Sequence, residues 1–360
     1  MPRAPRLHLQ GCVLPAGDRR DLWVVDGVVR TEPVADADTL ATGVWVMPGL
    51  VDAHCHVGLE MSGAVPDEVA EQHALAERAA GALLLRDAGS PADTRWIDDR
   101  DDLPHLIRAG RHIARPKRYL RNYADEVEPD ELVAAVERQA ARGDGWVKIV
   151  GDWIDRAVGD LTPLWPTEVA AAAISRAHEL GARVTAHVFG EQAVAELVAA
   201  GIDGIEHGTG LTDPVIEAMA ERQVALVPTM VQLENFESIA ASAEEKFPAY
   251  AAHLRSLYAG RLEVFARAYE AGVPIYAGTD AGGYLPHGLV GTEMAALAGF
   301  TSAEYALGAG SWRARDWLGR PAELSEGAPA DLVVFDADPR TDLAVLQHPS
   351  HVVLRGRLVD

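Results

Sequence analysis

The feature that most constrains the fold is an alternation that runs from about residue 50 to residue 320. Short apolar runs alternate there with segments of helical length that are rich in Ala, Glu and Arg. Several of the helical segments end in glycine, the residue favoured just past a helix end. Eight runs are predicted to be strands, at 49–57, 81–89, 106–114, 145–152, 183–190, 204–210, 224–230 and 273–282.

Repeated alternation of strand and helix predicts a parallel sheet. Eight units in about 270 residues fit a closed (β/α)8 TIM-like barrel, in the α/β class. A doubly wound open sheet is the alternative. It is less favoured because no GxGxxG or GxxxxGK[ST] phosphate-binding motif follows any of the eight runs.

The two chain ends have a different texture, with strand-like segments separated by Gly, Pro and Asp. Because both ends flank the alternating region, we expect them to form one small β unit together. The predicted division is one small β unit from residues 1–48 plus 322–360, and a barrel from residues 49–321.

The charge balance excludes some classes of partner. The net charge is -22, with 32 Lys+Arg against 54 Asp+Glu, so we expect neither nucleic-acid binding nor adsorption to an anionic membrane. Two cysteines make no disulfide framework, and no apolar run is long enough for a signal peptide or a membrane span. We expect a cytoplasmic protein with a small-molecule substrate; the sequence leaves a homo-oligomer open.

His54 and His56 stand at the end of the first predicted strand. Positions i and i+2 of a strand point to the same face, so both imidazoles face one way and Cys55 faces the other. At the carboxyl end of a barrel strand they would face the mouth, where the active sites of this fold lie. The pair therefore predicts a metal grip, against the plainer interpretation of two exposed histidines.

Further polar residues stand at or near the ends of other predicted strands, and a closed barrel would gather them into one ring. Imidazoles and carboxylates are ligands that Zn²⁺ and similar divalent ions prefer. A lysine within an apolar strand must lose its charge or find a partner, and a neutral amine at a metal site could carry CO₂ as a carbamate. These residues are Lys148, His187, His207 and Asp280.

The combined set resembles the amidohydrolase superfamily, in particular its imidazolonepropionase-like and prolidase-like branch. The two chain ends resemble the composite β-sandwich of that superfamily. The resemblance covers nearly the whole chain. Its motifs are "MPGLVDAHCH", "LLLRDAG", "VKIV", "AHVFGEQAV", "GIEHG", "VPTM", "AGTDAGG" and "GAPADLVVFDADP".

The resemblance implies a hydrolase of C–N bonds with two divalent metal ions, for which zinc is expected. His54, His56 and Asp280 would hold the more buried ion, and His187 and His207 the second. Carboxylated Lys148 would bridge the two ions together with a hydroxide. Asp280 would also be the catalytic general base and then the general acid. For Lys148 the alternative is an ordinary salt bridge, for example to Asp152.

Two residues are candidate substrate contacts. One lies where the chain departs from the motif of the branch, and the other lies in a loop. The dipeptidase-like members of the branch usually carry Gly-Gly-His after the third strand, where this chain reads "HIARPKRYLRNYADE", so we expect Tyr119 or a nearby arginine to take that place. His287 lies in the loop after the eighth strand and is a second candidate, with a plain loop histidine as the alternative. We interpret Arg86 and Asp87 as an ion pair in the barrel mouth and His112 as a structural or solvent-facing residue.

Two other functions stay open. One is a mononuclear deaminase. Such a site usually has a His-x-x-Glu pattern, whereas three residues separate His187 from Glu191 in this chain, which is one too many. A catalytically silent binding or assembly relative is the other, although such relatives lose metal ligands that this chain retains.

Overall fold

The computed structural model of the protein describes residues 6–359, and its strands form three sheets and a hairpin. The first ten strands are β1 (Leu7–Val13), β2 (Asp18–Val25), β3 (Val28–Arg30), β4 (Asp38–Pro48), β5 (Leu50–Glu60), β6 (Gly63–Ala64), β7 (Ala82–Asp87), β8 (His105–Arg108), β9 (Ile113–Ala114) and β10 (Asp125–Glu126). The others are β11 (Trp146–Val150), β12 (Asp152–Asp155), β13 (Asp160–Pro163), β14 (Arg183–Val188), β15 (Gly204–His207), β16 (Ala225–Val227), β17 (Ala281–Gly283), β18 (Leu332–Phe335), β19 (His351–Leu354) and β20 (Arg357–Leu358).

The helix α2 (Leu132–Arg142) buries one largely apolar face. In α2 the buried residues are Leu132, Ala135, Val136 and Gln139, the i, i+3, i+4, i+7 spacing of an amphipathic helix. The described helices include none with the length and apolar character to cross a membrane. They are α1 (Asp67–Ala79), α2 (Leu132–Arg142), α3 (Thr167–Glu179), α4 (Glu191–Ala199), α5 (Asp213–Arg222), α6 (Met230–Leu233), α7 (Phe236–Ala243), α8 (Pro248–Glu270), α9 (Val290–Leu297), α10 (Ala303–Ala309) and α11 (Trp312–Trp317), with 3₁₀ turns at Arg95–Asp99, Pro129–Glu131 and Leu343–Gln347.

The predicted parallel strands lie in two sheets rather than in one eight-stranded ladder. One has the order β10-β9-β11-β14-β15-β16, and the other the order β17-β5-β7-β8 with β6 paired to β5. Every residue of β7 and β11 is buried. This burial on both faces explains why the runs are continuously apolar in the sequence. The architecture is therefore mixed α/β, with helices that connect the parallel strands along the chain and pack against them.

Two of the eight predicted strands are interrupted. The run 106–114 divides into β8 and β9, and Gly110 between them has a φ of +73° that ends the extended conformation. The run 273–282 forms a single bridge, between Ile275 and Leu226, before β17 begins at Ala281. Pro274 lacks the amide hydrogen that a continuous ladder requires.

The chain ends meet in one seven-stranded sheet with the order β20-β19-β18-β4-β1-β2-β3. The C-terminal β18 pairs antiparallel with the N-terminal β4, which also pairs parallel with β1. Leu9, Leu22, Val24 and Leu332 belong to a separate apolar core under this terminal sheet. The predicted boundaries at residues 48 and 322 stay a prediction, and residues 1–5 and 360 of that unit lie outside the described residues.

Candidate metal centre

The predicted ligands lie on the parallel strands or directly beside them. β5 carries His54 and His56 near its middle, the centre of β11 carries the next one, and the carboxyl ends of β14 and β15 carry the two after that. Asp280 directly precedes β17. The side chains are buried except for that of Asp280, which is 17% exposed. The three sequence-predicted residues on the middle strands are Lys148, His187 and His207.

Three of these side chains converge on one point. His54 Nε2 lies 3.0 Å from Asp280 Oδ1, and His56 Nε2 lies 2.9 Å from the same oxygen. The two Nε2 atoms are 3.2 Å apart. Among the described residues, these three are the group whose nitrogen and oxygen atoms could hold a metal ion together.

The other nitrogen of each ring decides whether this set suits a cation. His56 Nδ1 donates to the carbonyl oxygen of Gly89 at 2.7 Å, so its Nε2 carries the lone pair when the ring is neutral. Burial lowers the pKa of His56 and keeps the ring neutral, although Asp280 acts in the opposite direction. His54 Nδ1 lies 2.7 Å from Glu206 Oε2, which leaves its Nε2 facing Asp280 as well. Lone pairs directed at a carboxylate repel it unless a cation lies between them, so the donor set fits a metal ion.

His187 and His207 form a second buried pair. His187 Nδ1 lies 2.9 Å from His207 Nε2, and His207 Nδ1 lies 2.8 Å from Thr229 Oγ1. His187 Nε2 is buried without a hydrogen-bond partner in the described structure. Burial lowers the pKa of His187 well below its usual value and that of His207 to about 3, so both rings are neutral. Neutral imidazole is the form that binds metals.

Lys148 is 1% exposed and lies close enough to both groups to influence them. Burial lowers its pKa to about 8, against the attraction of Glu206 and Asp280. The charge of Lys148 in turn helps to lower the pKa of His56 and of His187. A neutral amine is therefore accessible at this position near neutral pH.

Asp152, the salt-bridge partner considered for Lys148, has other contacts. Its carboxylate accepts hydrogen bonds from the amides of Phe189 at 3.0 Å and Gly190 at 2.6 Å. These contacts anchor the loop that follows His187. Asp152 therefore supports the strand end that carries a candidate ligand.

The "AGTDAGG" segment is shaped to fit against β5. A Cβ on Gly278 would lie 2.6 Å from the Cβ of His54, and one on Gly282 would lie 2.6 Å from the carbonyl oxygen of His56. Asp52 joins the same two elements, because its carboxylate accepts hydrogen bonds from the amide of His54 and the hydroxyl of Thr279. The glycines and Asp52 thus place Asp280 beside the two histidines.

A buried ion pair supports His54 from behind. Arg86 Nη2 lies 2.6 Å from Glu206 Oε1, while Glu206 Oε2 faces His54. Burial acts to raise the pKa of Glu206, but the charge of Arg86 and contact with His54 hold it well below its usual range. The interpretation of Arg86 and Asp87 as an ion pair is wrong. Neighbouring residues of a strand point to opposite faces, and the carboxylate of Asp87 instead accepts from the amide of Gly89.

Three residues around the site have left-handed backbone conformations that side chains rarely adopt. They lie within three successive predicted runs, at His207 (φ +68°), Thr229 (φ +50°) and Asp280 (φ +59°). Each such residue costs about 1–3 kcal/mol and persists where the surroundings enforce it, which is common at functional sites.

An apolar pocket opens onto the candidate ligands His56, His187 and Asp280. Seven of its sixteen lining residues are aromatic, in a chain with only 6% aromatic residues, and the described lining contains no Lys or Arg. Tyr119 lies within this lining, and its ring centroid is 5.5 Å from that of His187. The aromatic residues are Tyr119, Tyr123, Trp153, Phe189, Phe236, Tyr250 and Tyr284.

His287, the other candidate substrate contact, lies apart from this lining. Its Nδ1 is 2.8 Å from Glu77 Oε1, and its ring stacks on that of His73 with centroids 4.3 Å apart. Contacts of this kind fasten the loop before α9 to α1.

His112, which the sequence analysis assigned to a structural or solvent-facing role, is buried beside a candidate ligand. It is 1% exposed, its ring centroid lies 5.0 Å from that of His56, and neither ring nitrogen has a hydrogen-bond partner among the described residues. It occupies the carboxyl end of the third predicted run. The selection of polar residues near the ends of predicted strands, applied to every run, would also have selected His112.

Glu191 does not reach the candidate ligands. The residue is exposed at the start of α4, and its carboxylate lies 3.0 Å from His253 Nε2 on the surface. The geometry therefore gives no support to a deaminase whose site includes this carboxylate.

Comparisons with known proteins agree with this fold. The model of the amidohydrolase family matches residues 45–359. An uncharacterized protein of Mycobacterium tuberculosis is 58% identical over 358 residues, which cover 99% of this chain and 96% of that protein. A putative prolidase from Bifidobacterium longum has a similar structure, with a TM-score of 0.84 at 24% identity over 99% of this chain and 95% of that chain.

Ochratoxinase of Aspergillus niger is similar in both sequence and structure. The sequences are 29% identical over 244 residues, which cover 65% of this chain and 50% of that protein. The structures have a TM-score of 0.80 at 20% identity over 99% of this chain and 96% of that chain.

Fold and site together define an enzyme that hydrolyses carbon–nitrogen bonds, in a family that is generally metal-dependent. The chain belongs to the amidohydrolase family.

Proposed function

We propose that this protein is a divalent-metal-dependent hydrolase that cleaves the amide bond of a small molecule with a bulky apolar group. The observation that carries the proposal is the convergence of His54, His56 and Asp280 within 3.2 Å at the base of an aromatic pocket. The similarity to a protein named ochratoxinase and to a putative prolidase agrees with an amide-type substrate.

His54, His56 and Asp280 would hold one ion, and His187 and His207 a second. A divalent ion in this place supplies Lewis acidity toward a carbonyl oxygen and lowers the pKa of an attacking water. Zinc suits the imidazole and carboxylate donors. Arg86 and Glu206 would keep His54 in the tautomer that presents Nε2 to the ion, because Glu206 Oε2 lies 2.7 Å from Nδ1 and favours a proton on that nitrogen.

Asp280 would be the general base and then the general acid. Burial acts to raise the pKa of Asp280, but the adjacent His54 and His56 hold it well below the usual value. The carboxylate is therefore ionised at neutral pH and able to take the proton of the attacking water. It would then deliver that proton to the leaving nitrogen as the C–N bond breaks.

Carboxylation of Lys148 would add the bridge between the two ions. A carbamate forms from a neutral amine and CO₂, and burial favours the neutral amine at this position. The product carries one negative charge shared by two oxygens in place of a positive charge, which suits a site that would hold two cations.

We also infer that the two parallel sheets are the two parts of one closed (β/α)8 barrel. In support, the amide of Leu226 in β16 donates to the carbonyl oxygen of Pro274 at 2.9 Å, and the amide of Ala53 in β5 donates to the carbonyl oxygen of Ala277 at 2.8 Å. The run 273–282 thus contacts both sheets. On the other side, β8 and β9 belong to one run, and they pair with β7 and β11 respectively.

A screen of metal-depleted and metal-reloaded protein tests the function. N-acyl amino acids, dipeptides, hydantoins and lactams with aromatic substituents are offered, and release of the amine is measured. The expected result is turnover that requires the divalent ion, is lost in Asp280→Asn, and favours substrates with an aromatic substituent. Equal turnover by depleted and reloaded protein would remove the metal from the mechanism.

A further inference from the structure

A second concavity meets the aromatic pocket at Tyr119, which lines both. Four of its lining residues are cations and only one, Glu126, is an acid. We call it the basic concavity, and its four cations are Arg111, Lys117, Arg121 and Arg156. The whole chain has a net charge of -22, so a local excess of positive charge is opposite in sign to the charge of the protein.

The cations of the basic concavity have no carboxylate partners. Within residues 6–359, no Asp or Glu lies at ion-pair distance from any of the four, and Arg111 donates instead to the carbonyl oxygens of Tyr123 and Asn122. Other arginines in the same segment are paired, Arg115 with Glu128 and Arg118 with Asp155.

This difference points to a ligand. Like charges held around one concavity repel each other, and a chain with 54 acidic residues could readily supply neutralising partners. The backbone also holds the segment in a defined shape, because Lys117 (φ +62°) and Asn122 (φ +66°) are left-handed on either side of Tyr119 and Arg121. Cations kept unpaired on a shaped segment are suited to bind an anion through charge-assisted hydrogen bonds.

We propose that the substrate carries an anionic group, a carboxylate or a phosphate, that binds in the basic concavity while its apolar part fills the aromatic pocket. The inference rests on the proposed function, since it assigns a substrate class to that same site. The aromatic pocket has no Lys or Arg in its described lining, so no cationic side chain there can pair with an anionic group of the substrate. The basic concavity, which shares Tyr119 with the pocket, supplies such side chains.

The first test measures binding without turnover. Calorimetry compares 4-phenylbutyrate, 4-phenylbutyl phosphate and neutral 4-phenylbutanol on the metal-loaded protein. We expect at least one anion to bind about tenfold more tightly than the alcohol, as a few exposed ion pairs would give. The tighter anion identifies the group. Equal affinity of all three ligands would overturn the proposal.

Charge reversal locates the effect. The double variant Arg121→Glu/Arg156→Glu should abolish the preference for the anion and leave the affinity for the alcohol unchanged. Arg19→Glu is the matched control, because Arg19 is an exposed arginine on β2 of the terminal sheet, and it should preserve the preference. A preference that survives the double variant would place the anion elsewhere and overturn the proposal. The proposal would also be overturned if the double variant changed the oligomeric mass and kept the preference for the anion, because the concavity would then be an interface between subunits.

The kinetic test uses any substrate found in the screen that carries a carboxylate, together with its carboxamide. In the double variant, KM for the carboxylate should rise about tenfold with little change in kcat, and KM for the carboxamide should not change. An equal rise for both would overturn the proposal. If the anion preference holds in binding but no amide is cleaved, the proposed hydrolase function fails while the anion site stands.

Discussion

The terminal sheet and the mouth of the parallel strands are both buried, but they bury different chemistry. Under the terminal sheet lie side chains such as Leu22, Val24 and Val46, all fully buried. At the strand mouth lie Arg86 and Glu206, buried to the same degree. Burying hydrocarbon stabilises a fold, whereas burying charge costs free energy that pairing only partly returns. The difference teaches that the terminal sheet is organised for stability and the strand mouth for chemistry.

The largest expected effect comes from Asp280→Asn. The substitution removes the proposed proton acceptor, so kcat should fall by about 10³-fold, within the range of general acid–base catalysis. The fold should remain, because the asparagine amide can donate to the histidine nitrogens that now face the carboxylate. Steady-state kinetics and thermal melting of the same preparation check both parts. Retention of a tenth or more of the activity would contradict the role of Asp280.

Glu206→Gln tests how much a buried charged residue of the strand mouth contributes to stability and to metal binding. It leaves the buried guanidinium of Arg86 without its counter-charge, so the free energy of unfolding should fall by about 3–5 kcal/mol. Metal affinity should also fall about 10–100-fold, because His54 loses the partner that orients its ring. Chemical denaturation and metal titration measure the two effects. A variant with unchanged metal affinity would show that Glu206 stabilises the fold only.

Leu22→Ala is the matched change in the terminal sheet. Removal of a fully buried leucine should lower the free energy of unfolding by about 2–5 kcal/mol. Activity per folded molecule and metal affinity should equal those of the unsubstituted protein, because Leu22 belongs to a separate core. If kcat fell in proportion to stability, the separation of the two regions would be disproved.

The smallest expected effect is on the pH dependence of stability. Burial lowers the pKa of His73 from 6.5 to about 4, with a contribution from stacked His287. The unfolded chain therefore binds a proton that the folded chain does not, so this contribution is present above pH 6.5 and is lost as the pH falls toward 4. His73→Phe keeps the stacking and should flatten the decline of stability in that window. Parallel stability curves for the two proteins would contradict the assignment.

The sequence was sufficient for the parts of the fold that depend on local pattern. Largely apolar runs predicted β5, β7 and β11, because strands buried on both faces lack the regular alternation of apolar and polar residues. The interruption between β8 and β9 and the weak pairing of residues 273–280 were missed. They depend on the φ of Gly110 and on hydrogen bonds between distant segments, which a local pattern does not reveal.

The site shows the same division. The strand-end rule predicted His54, His56 and Asp280, and the structure brings them together. It missed the partnership of Arg86 with Glu206, since residues 120 positions apart meet only through strand packing. His112 was missed for another reason, because the rule was not applied to the third run. The basic concavity could not be read from the sequence, since the absence of carboxylate partners is a property of three-dimensional packing.

Anomalous diffraction from crystals grown with zinc tests the central claim most directly. The account predicts an anomalous peak about 2.0–2.2 Å from His54 Nε2, His56 Nε2 and Asp280 Oδ1, the usual coordination distances for zinc. In Asp280→Asn crystals that peak should weaken. A fully zinc-loaded crystal whose peaks all lie away from these three atoms would contradict the account.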